Sequence, residues 1–157
     1  MIALAGCATR PVMRPPAAVM LPPSAAAPAA MDYGALMVAH ATAMLGQPYR
    51  YGGAAPGGFD CSGLVIYAAA RAGITLPRTA REQIDAGAPI DRRDLRAGDL
   101  VFMHLSHKEL HVGIAIDNLR FVHAPAAGGR VRIDSLAAAP YSSGFIAARR
   151  IVRPGWL

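Results

Sequence analysis

Residues 58–65 read Gly58-Phe59-Asp60-Cys61-Ser62-Gly63-Leu64-Val65, in a chain of 157 residues. A glycine-rich loop here runs into an apolar segment of helical character, and Cys61 lies at the junction. The positive end of a helix dipole stabilises a thiolate, and the thiolate rather than the thiol is the nucleophile. Because a single buried cysteine is more often a small apolar side chain, nucleophilic chemistry requires partners elsewhere in the sequence.

Two histidines on predicted strands are the candidate partners. His111 begins the segment H-V-G-I, and His123 lies in F-V-H-A-P. Counted from a predicted hairpin turn at Asp117-Asn118, they are roughly opposite each other and within cross-strand reach. We expect His111 to exchange a proton with Cys61, and His123 to accept a hydrogen bond that orients the His111 ring. A single strand histidine is usually a satisfied polar group, so the combination of all three side chains favours catalysis.

A zinc site is the competing interpretation of the same side chains. The potential ligands are Cys61, His104, His107, His111 and His123. Their spacing matches no compact zinc pattern, and a whole helical segment separates the cysteine from the histidines. The sequence therefore predicts no metal, and it places His104 and His107 at most at the rim of a site. A reaction carried by a cysteine and histidines needs no organic cofactor.

Helical patterns precede strand patterns along the chain. The predicted helices run from Asp32 to Gly46, from Cys61 to about Ala72, and over a short turn that Thr79 and Glu82 close as a capping box. The predicted strands are 98–103, 112–116, 120–122, 131–133 and 145–150. This order is typical of an α+β domain in which N-terminal helices pack on a C-terminal antiparallel β-sheet.

Composition limits the classes of protein to which the chain belongs. No run approaches the roughly 18 uncharged apolar residues of a membrane span. The formal net charge is +6, carried mostly by arginine. The basic residues are scattered and do not interleave with aromatic residues, so we expect no nucleic-acid partner. The charge fits a solvated surface, or weak attraction to an anionic surface such as a bacterial envelope.

The sequence before Met31 differs in character from the rest. Residues 1–7 end in Leu4-Ala5-Gly6-Cys7, which resembles a bacterial lipobox and predicts lipidation of Cys7 at the end of a truncated signal. Residues 8–30 are rich in proline and alanine and predict a disordered linker, so that residues 31–157 form the domain. Six residues, none basic, precede the cysteine. A start assigned too far downstream, a trimmed segment and a chance match therefore remain open.

Seven short motifs follow one another in a recognisable order. They are L-G-Q-P-Y-R-Y-G-G (45–53), G-F-D-C-S-G-L-V (58–65), L-P-R-T (76–79), A-G-D-L-V-F (97–102), H-V-G-I (111–114), F-V-H-A-P (121–125) and A-R-R (148–150). In order and spacing they resemble the NlpC family of bacterial cell-wall cysteine peptidases (the NlpC/p-sixty superfamily). The resemblance extends from about Met31 to Ile151, nearly the whole predicted domain.

The resemblance implies a pared-down, papain-like α+β fold and hydrolysis of peptidoglycan stem peptides. The implied bond lies between γ-D-glutamate and a diamino acid such as diaminopimelate. Cys61 matches the nucleophile of the family, His111 the base and His123 the polar third member. Thiolate Cys61 would attack the γ-glutamyl carbonyl, and protonated His111 would give a proton to the leaving amine. Water activated by His111 would then release the acyl group.

Three further residues carry roles implied by the resemblance. Tyr49 matches a tyrosine near the nucleophile whose hydroxyl helps to hold the oxyanion or the substrate, together with the backbone N–H of Cys61. Asp60 and Ser62 resemble residues that hold the amine end of the stem peptide. Helix capping is the alternative role of Asp60, and Arg78 either meets a substrate carboxylate or braces a loop.

The predicted partners and location follow from these residues. We expect a monomer that acts on peptidoglycan stem peptides in the cell envelope. If Cys7 is lipidated, the chain is a periplasmic lipoprotein anchored in a membrane, and Ala8 rather than aspartate after the cysteine resembles outer-membrane lipoproteins. The alternatives are an amidase or acyltransferase on the same scaffold, and a non-catalytic wall-binding lipoprotein. The intact set of Cys61, His111 and His123 argues against the last.

Overall fold

The computed structural model describes residues 32–105, 109–126 and 129–151. Its helices are α1 (Tyr33–Thr42), α2 (Cys61–Arg71), α3 (Ala80–Gln83) and α4 (Tyr141–Gly144), with a 3₁₀ turn at Arg92–Asp94. Its strands are β1 (Ala54–Ala55), β2 (Gly58–Phe59), β3 (Ala88–Pro89), β4 (Leu100–His104), β5 (Leu110–Ala115), β6 (Arg120–His123), β7 (Arg132–Ser135) and β8 (Phe145–Arg150). The predicted signal, linker and lipidation site, and His107, lie outside the described residues.

Six of the strands form one antiparallel sheet in the order β3-β8-β4-β5-β6-β7, and β1 and β2 form a separate short hairpin. The two longest helices, α1 and α2, precede the sheet in sequence, pack on each other, and contact β5. The predicted α+β class, with N-terminal helices on a C-terminal antiparallel sheet, is confirmed. Within the described residues, no helix combines the length and apolar character that crossing a membrane requires.

Both faces of the sheet are covered, and the pattern of β4 shows why. Leu100 and Phe102 point into a core shared with α1 and α2, whereas Val101 and Met103 point into a second core on the other face. All four side chains are fully buried. Because successive side chains of a strand point to opposite faces, a continuous apolar run suits this central strand. Such burial on both sides holds β4 and its neighbour β5 rigidly in the middle of the domain.

Local capping signals in the sequence act as predicted. In the capping box before α3, the Thr79 Oγ1 atom accepts a hydrogen bond from the Glu82 backbone N–H at 3.3 Å, and the Thr79 N–H donates to the Glu82 carboxylate at 3.2 Å. Gly73, just after α2, has a φ of +80°, the left-handed conformation that ends a helix at low cost only for glycine. These interactions span a few residues each, so they can be read from the sequence alone.

The first helix ends earlier than predicted. The α-helix stops at Thr42, and residues up to Gly46 continue as turns with tighter bonds from Met44 and Leu45 to carbonyls three residues back. The Gly46 N–H then donates to the Val131 carbonyl at 2.9 Å. The backbone of Gly46 therefore bonds to a distant segment of the chain and not to the helix. Val131 bonds to Gly46 through its carbonyl and also donates its N–H to the Gln47 carbonyl at 2.8 Å, and the pairing of β7 with β6 begins at Arg132 rather than at the predicted 131.

Candidate active site

The candidate nucleophile is the first residue of α2. Asp60 caps this helix: its Oδ1 accepts from the backbone N–H of Gly63 at 2.6 Å, and its Oδ2 accepts from that of Gly52 at 3.0 Å. Gly63 packs directly on the Gly53 carbonyl, where a Cβ atom would collide with the oxygen. The glycine-rich loop is therefore clamped to the first turn of the helix, and this clamp sets the position of Cys61.

A cavity of about 810 Å³ lies in front of the cysteine. The predicted site residues that line it are Tyr49, Asp60, Cys61, Ser62 and His111. Cys61 is half-buried, and the backbone N–H of Val112, the neighbour of His111 on β5, is close enough to lower the pKa of its thiol. The N-terminus of α2 and the start of β5 therefore meet at one wall of the cavity. His123 does not line the cavity and is fully buried behind it.

The two histidines are in direct contact. Nε2 of His111 lies 2.7 Å from Nδ1 of His123, with the rings edge to face. The β5–β6 register pairs Ile114 with Val122, which places His123 across from Gly113. The rings are therefore diagonal neighbours rather than the opposite pair expected from the turn. The bare position at Gly113 leaves room for this diagonal contact, because a Cβ atom there would lie 2.6 Å from the Phe121 ring and 3.2 Å from the Cβ of His123.

A carboxylate that sequence reasoning missed extends this chain of side chains. Nε2 of His123 lies 2.9 Å from Oδ2 of Asp134. The same oxygen accepts hydrogen bonds from the Tyr141 hydroxyl at 2.7 Å and from Nε of Arg132 at 2.8 Å. A signal was present, because alternation along β7 places Arg132 and Asp134 on one face of the strand that pairs with β6. Tyr141 comes from α4, and nothing in the sequence links it to the site.

The environment of the sulfur favours the neutral thiol. Burial raises the pKa of the Cys61 thiol, and the charge of Asp60 raises it further. Backbone N–H groups of Val112, Ser62 and Cys61 itself lower this pKa, but they do not compensate. The net direction is opposite to the one expected from the helix dipole alone, because packing against β5 removes water from the sulfur.

The environment of the two imidazoles also favours their neutral forms. Burial, followed by the neighbouring His123 ring, lowers the pKa of His111 to about 3. Burial lowers the pKa of His123 as well, against the opposing charge of Asp134. Burial alone would raise the pKa of Asp134, but hydrogen bonds from Arg132, Tyr141 and His123 bring it down to about 2. Near neutral pH the chain of side chains from His111 to Asp134 therefore holds two neutral imidazoles and one carboxylate.

A salt bridge forms the edge of the cavity beside the nucleophile. Arg78 donates to both carboxylate oxygens of Asp60, at 3.0 and 2.6 Å, and to Oγ of Ser62 at 2.9 Å. Burial raises the pKa of Asp60, but Arg78 and the capped N–H groups lower it by more, so that it lies below its ordinary value. Asp60 thus caps α2, which is the alternative role given to it from the sequence, and Arg78 braces the loop before α3 and also lines the cavity.

Tyr49 reaches the cavity from the loop before β1. Its backbone forms a bridge with Phe59 and donates to the Gly129 carbonyl at 2.9 Å. Burial raises the pKa of Tyr49, and negative charge on Cys61 or Asp60 would raise it further. The phenol therefore stays protonated and is available as a hydrogen-bond donor in the cavity that contains the sulfur.

Across residues 32–105, 109–126 and 129–151, no three histidine, cysteine or acidic side chains are grouped so that they could hold a metal ion. His104 ends β4 with an exposed side chain.

Comparison with known proteins supports the family resemblance that the seven motifs suggested. The model of the NlpC/P60 family matches residues 46–150. This chain belongs to the NlpC/P60 family. A NlpC/P60 family protein from Bacillus cereus superposes with a TM-score of 0.71 and 30% identity, covering 76% of this chain and 40% of that one. The NlpC/p60 domain of the peptidoglycan hydrolase SagA gives a TM-score of 0.65 and 33% identity over 75% of this chain and 98% of that domain. The expected papain-like α+β fold is confirmed.

Several relatives of this chain are named as endopeptidases. "Murein DD-endopeptidase MepH" of Escherichia coli is 40% identical over 116 residues, 70% of this chain and 43% of MepH. "Bifunctional muramidase/DL-endopeptidase CwlT" of Bacillus subtilis is 44% identical over 102 residues, 62% of this chain and 31% of CwlT. "Probable endopeptidase NlpC" of Escherichia coli is 41% identical over 109 residues, 68% of this chain and 70% of that protein. The chain thus spans less than half the length of MepH and of CwlT.

Proposed function

We propose that this domain is a cysteine endopeptidase that hydrolyses a peptide bond in peptidoglycan stem peptides. The observation that carries the proposal is the 2.7 Å contact between His111 and His123 behind a cavity that Cys61 also lines. Acyl transfer through a thiol needs a nucleophile, a base and a group that orients the base. The names of MepH, CwlT and SagA support peptidoglycan as the class of substrate.

The proposed cycle begins from a neutral pair. As the Cys61 sulfur attacks the carbonyl carbon, Nδ1 of His111 takes the thiol proton, since Nε2 is engaged by His123. The backbone N–H of Cys61 and the Tyr49 hydroxyl donate to the oxyanion. His111 returns the proton to the leaving amine, and the acyl group remains on sulfur. His111 then takes a proton from water, whose oxygen attacks the thioester carbonyl, and returns this proton to the departing sulfur.

This cycle uses general-base catalysis in place of a resting thiolate. The reason is that burial favours the neutral forms of both Cys61 and His111. The positive charge on His111 and the negative charge on the substrate oxyanion then develop together, after substrate fills the cavity and the oxyanion donors are in place.

For the bond, we propose the link between γ-D-glutamate and a diamino acid. The DL-endopeptidase activity in the name of CwlT supports this bond, and the DD-endopeptidase activity in the name of MepH identifies the competing one. We propose that Asp60 and Ser62 contact the amine end of the stem. Both carboxylate oxygens of Asp60 already accept hydrogen bonds, so an incoming ammonium group must exchange with one of them.

For the location, we propose the cell envelope, as a monomeric lipoprotein held at the outer membrane through Cys7. The Leu4-Ala5-Gly6-Cys7 segment supports this anchor, and the action of the named relatives on murein supports the compartment. Expression of the full chain in a bacterium fed a clickable palmitate analogue tests it. Labelling that disappears in Cys7→Ala is the expected result, and an unlabelled wild-type chain would remove the anchor from the proposal.

The activity is tested by digestion of purified sacculi with mass spectrometry of the released fragments. We expect the wild-type chain to release fragments with a new amino-terminal diamino acid, and Cys61→Ala to release none. Cys7→Ala is the matched control, because it removes the other cysteine of the chain and should cleave normally. Fragments freed at a D-alanine crosslink would assign the DD bond, and intact stems freed from the glycan would indicate an amidase. Equal release by Cys61→Ala, or none by the wild type, would overturn the proposal.

A further inference from the structure

The chain of side chains behind the cysteine is longer than the proposed reaction requires. It starts at His111 on β5, passes through His123 on β6 and reaches Asp134 on β7. Its far end is held in place by two more donors, the Tyr141 hydroxyl and Nε of Arg132. The mechanism above gives Asp134 no task, although its Oδ2 receives three hydrogen bonds.

The positions of the protons along this chain can be deduced from its carboxylate end. The three groups that contact Oδ2 of Asp134 are a guanidinium, a hydroxyl and an imidazole nitrogen. An ionised carboxylate only accepts hydrogen bonds, so Nε2 of His123 must carry the proton. In a neutral imidazole the other nitrogen then holds a lone pair. Nδ1 of His123 is therefore an acceptor.

The same reasoning continues into the next ring. Nδ1 of His123 lies 2.7 Å from Nε2 of His111, so Nε2 of His111 must be the donor. The remaining nitrogen, Nδ1 of His111, is then unprotonated, as the proposed reaction requires of the atom that takes the Cys61 proton. In the opposite arrangement, Nδ1–H of His123 donates to Nε2 of His111, and the distance between these two nitrogens alone does not distinguish the two arrangements. The opposite arrangement would leave the proton on Nδ1 of His111 and remove the base.

We propose that Asp134 is a positioning residue that selects between these two arrangements and so keeps His111 in its basic tautomer. The carboxylate acts through His123 and does not touch the reacting atoms. It also stabilises the imidazolium that forms when His111 accepts a proton, because Nδ1 of His123 becomes a better acceptor when its own N–H is bound by an anion. The kinetic part of this inference rests on the proposed function, whereas the tautomers do not.

The first test measures the tautomers directly by long-range ¹H–¹⁵N correlation spectra of the imidazoles. In the wild-type chain we expect both His111 and His123 to carry the proton on Nε2. In Asp134→Asn, which preserves the shape of the side chain, we expect a measurable population with the proton on Nδ1. A wild-type spectrum with Nδ1–H on either ring overturns the proposal. This measurement needs no substrate, so it stands even if the chain cleaves no peptidoglycan.

The second test measures kinetics on stem-peptide substrates. We expect Asp134→Asn to lower kcat about 10- to 100-fold, the range in which loss of an orienting partner typically falls, with KM changed less than about 2-fold. The matched control is Asp117→Asn, which removes a carboxylate from the tip of the β5–β6 turn. We expect this control to leave kcat and both tautomers unchanged. A lower kcat with wild-type tautomers would indicate a purely structural role and would also overturn the proposal.

Discussion

The burial of His111, the proposed base, predicts that the folded chain becomes less stable in acid. His111 is about 7% exposed, and its pKa in the folded chain is about 3 against an ordinary value of 6.5. Below pH 6.5 the unfolded chain therefore binds a proton at this residue more readily than the folded chain does. Protons thus favour unfolding, and the free energy of unfolding falls as the pH drops from 6.5 towards 3.

The size of this effect follows from the pKa difference. Each pH unit inside this window costs about 1.4 kcal/mol, so acidification from pH 7 to pH 5 costs about 2 kcal/mol through His111 alone. The lowered pKa of His123 adds a loss of the same sign. Asp134, with a pKa of about 2 against 3.8, contributes stability that is lost only below pH 4. Between pH 7 and pH 5 the change in the free energy of unfolding therefore reports on His111 and His123 and not on Asp134.

The assay is urea denaturation of the wild-type chain and of His111→Gln at both pH values. We expect the wild type to lose about 2 kcal/mol or more, and His111→Gln to lose about 2 kcal/mol less than the wild type. His40→Gln, in the last turn of α1, serves as the control and should follow the wild type. If the wild-type free energy of unfolding is equal at the two pH values, or if His111→Gln shows the full loss, the burial argument is refuted.

Two further predictions concern Tyr49 in the cavity wall and the packing of Gly63 in the first turn of α2. Tyr49→Phe removes one proposed oxyanion donor and should lower kcat about 100-fold with little change in KM; a kcat within 2-fold of wild type in stem-peptide assays would exclude this role. Gly63→Ala places a methyl group against the Gly53 carbonyl and should reduce the free energy of unfolding by about 3 kcal/mol in urea titrations. Gly73→Ala, in open space with a φ of +80°, should cost about 1 kcal/mol, and the reverse order of the two costs would contradict the packing described.

The parts of the fold and site that the sequence predicts are those built from local signals. The start of α2 at Cys61 follows from a glycine-rich loop and the Asp60 cap, and the capping box of Thr79 and Glu82 lies within four residues. Strand β8 matches its predicted bounds, 145–150. In each case the decisive interactions join residues that are close in sequence, so a pattern of residue types identifies them.

The parts that the sequence does not predict depend on distant contacts. The two-residue strands β1, β2 and β3 are too short to show alternation. Asp134 joins the site only because β7 pairs with β6. The direction of the Cys61 pKa depends on burial against β5, some fifty residues away in sequence. Propensity and spacing carry no information about which groups lose their water when the layers pack.

The Cys61 sulfur belongs to the helices, and the His111 and His123 imidazoles belong to the sheet. The proposed hydrolysis therefore requires both parts docked together and cannot be carried out by either part alone. A nascent or denatured chain holds the same side chains but should not cleave peptidoglycan, because the proposed nucleophile and the proposed base are then apart. Residual turnover during gradual denaturation should consequently follow the fraction of chains in which the helices and the sheet are still docked.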